Sequence, residues 1–452
     1  MALLPGRGTE PRGDSADVHR DVLYRKVAWR VMPLLLACYV VSFVDRTNIG
    51  VAQARMHQEL GFDTRVYGIA VGLFFVGFIL FEVPSNILLA RIGARKTMLR
   101  IMLIWGTVIV LTMFATTPPL FYCARFLLGA AEAGFFPGAL FYLAQWFPSA
   151  RRTRMTALFF LGVPLAGIVG PPMSGGIMDG LGGVLGLADW QWLFLVEGVL
   201  PILLGLLVFL RFQDSPEQAG WLSPEEKATI AGDLARDQAA KAGEGGHAPG
   251  GLLRALRDPR VYILGLCACG AYTLANAVSF WTPIIIHSAG VQNVLNLGLL
   301  TAIPPLVGIV VMVVVGWHSD RKLERRWHAS TSWFLAAGCL VALSLTAGSQ
   351  YLVIALLAVL TAAHYSGLTV FYSIPSIYLS ERSAAGGIAA VTTMGSFAAA
   401  LSPTMLGWLH TTTGSLGLGL QISAGMAVLA GVILLVGVPA RLLAEHRTRS
   451  RS

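Results

Sequence analysis

Four charged residues set in otherwise apolar sequence carry the chemistry open to this chain: Asp45, Arg46, Arg125 and Glu132. The second pair lies in residues 119–147, PLFYCARFLLGAAEAGFFPGALFYLAQWF, which hold no other charge. A helix rises about 1.5 Å per residue and roughly 20 residues cover the hydrocarbon core, so Glu132 falls near the midplane of a membrane span. Arg125 precedes it by seven positions, on nearly the same face and about 10 Å away along the axis. A charge near the bilayer centre costs about 2.5–3.5 kcal/mol on insertion scales, so neither residue faces lipid. Two roles fit: a structural pair that locks helices together, or a site for a proton and an anion. Arginine cannot deprotonate and holds carboxylates in a planar fork. A carboxyl balanced between desolvation and a nearby arginine can gain and lose a proton.

Asp45 and Arg46 follow an uncharged run, 31–44, of only 14 residues. They fall either in a first outside loop or in the outer half of a helix over 28–51. In a helix, Asp45, Asn48 and Ala52 share one face. The four charges sum to zero, which fits mutual pairing and lowers the cost of burial.

The elements that must position these groups are membrane helices. The 452 residues are 55% hydrophobic and 13% charged, with a mean hydropathy of +0.67. Soluble domains carry about 25% charged residues, so the composition is that of an all-α polytopic membrane protein. Twelve spans are predicted: 28–51, 66–90, 97–117, 119–147, 154–178, 190–211, 259–286, 294–317, 329–347, 351–379, 384–409 and 416–440. The first is long enough to span and follows a polar segment, so no cleavable signal peptide is expected.

Lys and Arg are distributed one-sidedly. Five precede residue 28, the loops after the second, fourth and eighth spans hold four, three and four, and residues 211–260 hold seven. The opposite loops hold only Arg55 and Arg65. The positive-inside rule then places both termini in the cytoplasm of an inner-membrane protein. The net charge of +9 is spread over short loops and does not point to nucleic acid. Cys38, Cys123, Cys267, Cys269 and Cys339 all lie in apolar segments without metal-site spacing, and read as packing residues.

Residues 212–258 break the rhythm with two Ser-Pro pairs and the stretch KAGEGGHAPGG at 241–251. They read as a cytoplasmic linker, helical over about 224–240 and mobile beyond. The expected divisions are a tail (1–27), a six-helix bundle (28–211), the linker (212–258), a second bundle (259–440) and a tail (441–452). The halves echo each other. Arg91-x-Gly93-Ala-Arg95-Lys follows the second span, and Gly316-x-x-Ser-Asp320-Arg321-x-x-x-Arg325-Arg326 follows the eighth. Two similar bundles around a midplane cavity is the plan of a rocking transporter.

These motifs carry a resemblance. Arg30-x-x-Pro33 with Phe43-x-Asp45-Arg46-x-Asn48-Ile49, Glu82-Val-Pro84-Ser85-Asn86, Arg125-x-x-x-Gly129-x-x-Glu132-x-Gly134-x-x-Pro137-Gly138 and Trp190-Gln-Trp192-x-Phe194-x-x-Glu197-Gly198 resemble the anion:cation symporters of the major facilitator superfamily, the phthalate, tartrate and hydroxyphenylacetate permease type. The likeness covers nearly all of 28–440; Ala90 departs from it, standing where many members have Asp. It implies that Asp45 and Arg46 lie inside the membrane at the central cavity. Arg46 would then grip the substrate carboxylate, Glu132 and Asp45 would carry protons, and Arg125 would partner them.

Asn48, Phe78, Trp281, His364, Thr392 and Ser396 complete the expected substrate-binding set. His364 reads equally well as a packing histidine. Glu82, Arg91, Gly93, Arg95, Asp320, Arg321 and Arg325 form the gating and structural motifs, and Glu197 reads as structural. Thr392 and Ser396 stand where relatives have asparagines, and Val163 where sugar-acid carriers have an amide. With Phe74, Phe75, Phe78, Phe135, Phe136 and Phe280, this tilts the substrate toward an aromatic or dicarboxylic acid. The expected protein is a monomer that imports such an anion with protons. It uses the proton gradient, needs no cofactor and holds no metal. No ATP loop, nucleophile elbow or metal-ligand cluster suggests an enzyme. The alternatives are a proton-driven exporter, which Gly170-Pro171 with Gly175-Gly176 suggests, and a membrane-embedded sensor.

Overall fold

The computed structural model describes residues 12–243, 256–322, 324–346, 349–379 and 384–439. Most of the linker stretch 241–251, Arg382 and the tail 441–452 lie outside the described residues.

The first half comprises α1 (Arg12–Leu60), α2 (Thr64–Ile92), α3 (Ala94–Thr112), α4 (Pro118–Glu132), α5 (Phe135–Trp146), α6 (Ser149–Phe160), α7 (Gly162–Leu181) and α8 (Asp189–Arg211). After α9 (Pro224–Gly243) come α10 (Pro259–Phe280), α11 (Thr282–Ser288), α12 (Val294–Thr301), α13 (Ile303–Lys322), α14 (Arg326–Leu345), α15 (Gln350–Tyr372), α16 (Pro375–Tyr378), α17 (Ala384–Thr413) and α18 (Gly417–Gly437). Eleven helices among the described residues are long and apolar enough to cross a membrane, counting α4–α5, α6–α7 and α12–α13 as broken single spans. The remaining span, α3, has the length, but Arg95, Lys96 and Arg100 crowd its first turns.

The spans expected at 154–178, 259–286, 294–317 and 351–379 are each broken into two helices, and two further differences from the sequence expectation bear on the site. Residues 12–27, expected as a tail, continue α1 as one helix of 49 residues. This extension is held from the side by α9: Lys26 Nζ donates to Glu226 at 2.8 Å and Tyr24 Oη to Asp233 at 3.1 Å. The hydrogen bond from Lys26 holds the Glu226 carboxyl below its ordinary range. The fourth span, expected as one helix, breaks at Ala133–Gly134, directly after Glu132. Gly134 has φ +92°, and a Cβ there would run into Ser85 of the Glu-Val-Pro-Ser stretch on α2. The glycine lets two of the sequence motifs touch.

Helices in lipid pack through small residues because lipid tails are as apolar as leucine. α2 crosses α4 where Gly77 meets the Phe126 carbonyl and Gly129 meets the Phe74 carbonyl; a Cβ at either would collide with backbone. α3 crosses α8 in the same way at Gly106 and Gly198. Gly129→Leu should therefore cost at least about 1–3 kcal/mol, since backbone cannot yield as a side chain does. A melting temperature in detergent equal to wild type would contradict this packing.

The hydrogen bonds that cross between the halves among the described residues lie at the end away from the termini. Thr64 Oγ1 meets His410 Nδ1 at 2.6 Å, Tyr67 Oη donates to Phe280 O at 2.7 Å, and Thr404 Oγ1 donates to Gly68 O at 3.2 Å. Asn293 Nδ2 donates to Asp179 at 3.4 Å beside them. At the basic end, α5 and α6 pack on elements of their own half and on α9. Among the described residues, the hydrogen bonds between the halves thus gather at the far end.

Candidate functional site

The charges meet on the inner surface of the first half. Arg46 Nε donates to Glu132 Oε2 at 2.6 Å, and Ser42 Oγ donates to the same oxygen at 3.3 Å. Glu132 is fully buried, whereas the Arg46 side chain keeps 13% of its surface exposed. Its guanidinium lies over the rings of Phe43 (4.8 Å), Phe78 (5.1 Å) and Phe74 (5.4 Å). Such faces attract a cation while excluding water. Nη1 and Nη2 of Arg46 make no hydrogen bond among the described residues, and Glu132 Oε1 accepts none.

Arg125 is placed differently from the sequence expectation. It bonds to neither carboxylate; Nη2 donates to the backbone oxygen of Arg46 at 3.0 Å, with Nη1 3.5 Å from that of Asp45. It buttresses α1 through its carbonyls. Asp45, fully buried, takes its one hydrogen bond from Trp105 Nε1 at 2.7 Å, and its Oδ1 has no partner among the described residues. Trp105 and Ser42 are missed by the sequence reading. An indole N–H in mid-span α3 and a hydroxyl four residues before Arg46 are the signals that could have found them.

Asn48 donates to Glu197 Oε2 at 2.8 Å, so it points at least partly away from the Arg46 pair. Phe78 is in the pair's aromatic shell, and Glu82 on α2 is half-buried. His364 is buried in α15, its Nδ1 unpartnered among the described residues and its ring 5.8 Å from that of Tyr365. Trp281 lies at the α10–α11 junction, edge-on to Tyr67 at 5.5 Å, at the far end. The Thr392 and Ser396 hydroxyls are bonded within α17, both to the preceding turn. In the second half, Tyr272 and Tyr372 share a hydroxyl contact of 2.7 Å.

The basic motifs brace the helix ends. Gly93 joins α2 to α3, Arg95 N donates to Asp214 at 2.9 Å and Arg95 Nε to Phe209 O at 2.6 Å, while Arg91 is exposed. In the second half Arg321 covers the Trp317 ring at 3.7 Å and Arg325 Nη1 donates to Ser373 O at 3.2 Å. Asp320 falls within α13, its side chain outside what the structure describes.

Two helical bundles, joined at one end and enclosing the part-buried Arg46–Glu132 pair, define a membrane transporter. The chain belongs to the Major Facilitator Superfamily, whose profile matches residues 35–403. It is 39% identical over 439 residues to a Pseudomonas putida protein provisionally named metabolite transport protein NicT, covering 96% of this chain and 99% of that one. It is 39% identical to a provisionally named tartrate transporter of Agrobacterium vitis (93% and 96% covered) and 36% identical to a quinolone resistance transporter of Acinetobacter baumannii (94% and 96% covered). The fold matches a bacterial homologue of the human lysosomal transporter Spinster, with a TM-score of 0.68 at 18% identity, covering 92% of this chain and 96% of that one. These relatives agree with the resemblance read from the motifs, and none supports a membrane-embedded sensor.

Proposed function

We propose that this transporter imports a small organic carboxylate together with protons, with both termini in the cytoplasm. The observation that carries the reading is the Arg46–Glu132 pair at 2.6 Å. Its buried member is the carboxylate, and its partly exposed member keeps the two terminal guanidinium nitrogens for a second anion. An incoming carboxylate on that edge makes one guanidinium serve two negative charges in a site walled by phenyl rings. Protonating Glu132 restores the balance, because a buried carboxylate without a full counter-charge costs several kcal/mol. Anion and proton then bind together, and the neutral loaded site can close and cross. The unpartnered Oε1 of Glu132 and Oδ1 of Asp45 are the atoms that would receive the protons.

The phenyl shell favours an aromatic acid, and the relative named for tartrate transport favours a dicarboxylic one. The relative named for quinolone resistance favours a second reading, export of a drug in exchange for protons. Energised proteoliposomes separate the two. Uptake of radiolabelled benzoate, phthalate, tartrate or succinate should rise at least about tenfold when the outside is acid. Quinolone efflux driven by the gradient, with none of the acids moved, would overturn the import reading.

A further inference from the structure

A third buried carboxyl lies apart from the Arg46 pair. Glu197, on α8, is fully buried. Asn48 Nδ2 donates to its Oε2 at 2.8 Å and Ser174 Oγ to its Oε1 at 2.6 Å. Both partners are neutral, so no cation offsets a charge at this position. Three helices pack against α8. From α1 the nearby titratable group is Asp45, one helical turn before Asn48, the residue that binds Glu197. From α3 comes the uncharged Trp105, bonded to Asp45, and from α7 comes Ser174, with Asp179 a turn and more beyond it. Arg55 and Glu59 of α1 are engaged at the outer start of α8, with Asp189 and Trp190.

The two partners of Glu197 also line a cavity of about 50 Å³ between the halves, together with Thr47, Thr282, Thr301 and Thr361. A water needs about 10–15 Å³ of such space and two to four polar partners, so roughly three to five waters fit. Asn48 Oδ1 and Thr361 Oγ1, in residues 2% and 0% exposed, have no hydrogen-bond partner among the described residues. Asn48 thus binds Glu197 with one end of its amide and offers the other to the cavity. A close approach of α7 and α12 covers this space on the far side: a Cβ on Gly175 would lie 2.6 Å from Val294 O, and one on Gly298 would meet the Pro171 backbone.

We propose that Glu197 is the proton-entry site of the transport cycle, loaded from the far side through this water-sized cavity when α7 and α12 part. It rests on the proton-coupled reading above. In the step, the Ser174 hydroxyl, which lines the cavity, gives its proton to Glu197 Oε1 and takes one from a cavity water, which recovers one from the outside solution. The hydroxyl then accepts from the acid. Glu197 then passes the proton on toward Asp45, one helical turn from its partner Asn48 on α1, and returns to carboxylate. Oxidation states do not change, and one proton enters for each one handed on.

The test uses the full chain in proteoliposomes, with trapped pyranine to report protons and radiolabelled tartrate, phthalate and benzoate as probes. Glu197→Gln should slow uptake driven by a pH gradient at least about tenfold and flatten its dependence on external pH. Counterflow exchange of the same acid at equal pH should stay within about twofold of wild type, since exchange cycles the loaded carrier without fresh proton entry. Ser174→Ala, which keeps the carboxyl, should move the external-pH midpoint of uptake by at least about half a unit. Gradient-driven uptake and pH profile unchanged in both variants would overturn proton entry at Glu197, as would equal loss of uptake and exchange, the mark of a structural role. If wild type itself accumulates none of the acids on a gradient, the symport reading falls, and this one with it.

Discussion

Arg46→Lys should lose roughly 10–150-fold in apparent affinity for the carboxylate while expressing and folding like wild type. Charge is conserved in this change, so a purely electrostatic role predicts little effect. Geometry is not conserved. Arg46 uses Nε for Glu132 at 2.6 Å and keeps Nη1 and Nη2 for another acceptor. An ammonium is a single point donor and cannot hold Glu132 and a planar carboxylate at once in fixed directions. Losing one charge-assisted contact removes about 1.5–3 kcal/mol, which is roughly 10–150-fold in binding. The ammonium also lacks the flat face that lies over Phe43, Phe74 and Phe78. Binding can be measured by scintillation proximity with the transported acid. Affinity within about twofold of wild type would remove Arg46 from the substrate site.

The residues differ in how far sequence alone could locate them. Long apolar runs separated by basic loops made the helices legible, because the bilayer leaves a spanning chain few other solutions. The break after Glu132 was not, although Gly134 is plain in the sequence. Its φ of +92° is required by the approach of Ser85, which comes from another helix. The same holds for the site. That Arg46 and Glu132 bond directly could be inferred only as pairing within a set of four charges; which pairs form depends on how α1 and α4 are rotated in the bundle. Arg125 shares a face with Glu132 along α4, yet its guanidinium reaches the carbonyls of α1. Glu197 reads as structural from its place near the outer end of the sixth span, since nothing local marks Asn48 and Ser174 as its partners. Periodicity describes one helix at a time, whereas a polar site in a bundle is made by four.

Glu132→Gln should separate binding from energy coupling. The amide keeps the shape of the carboxylic acid and still accepts from Arg46 Nε and Ser42 Oγ, the two donors that hold the native side chain. The fold should therefore survive. Removing the negative charge leaves Arg46 without its counter-ion, so an incoming anion no longer competes for it and should bind at least as tightly as in wild type. The loaded, uncharged site can still close, and counterflow exchange should persist within about threefold. Accumulation on a pH gradient should fall to the level set by the substrate gradient alone, because no proton can leave position 132 on the cytoplasmic side. Breaking a buried ion pair by removing one partner costs about 3–5 kcal/mol when the remaining charge stays dry. Here the Arg46 side chain keeps 13% of its surface exposed, which limits that cost. Gradient-driven accumulation at the wild-type level in this variant would show that Glu132 is not an essential coupling group. Loss of binding and exchange as well, with normal expression, would assign the pair to holding α1 against α4.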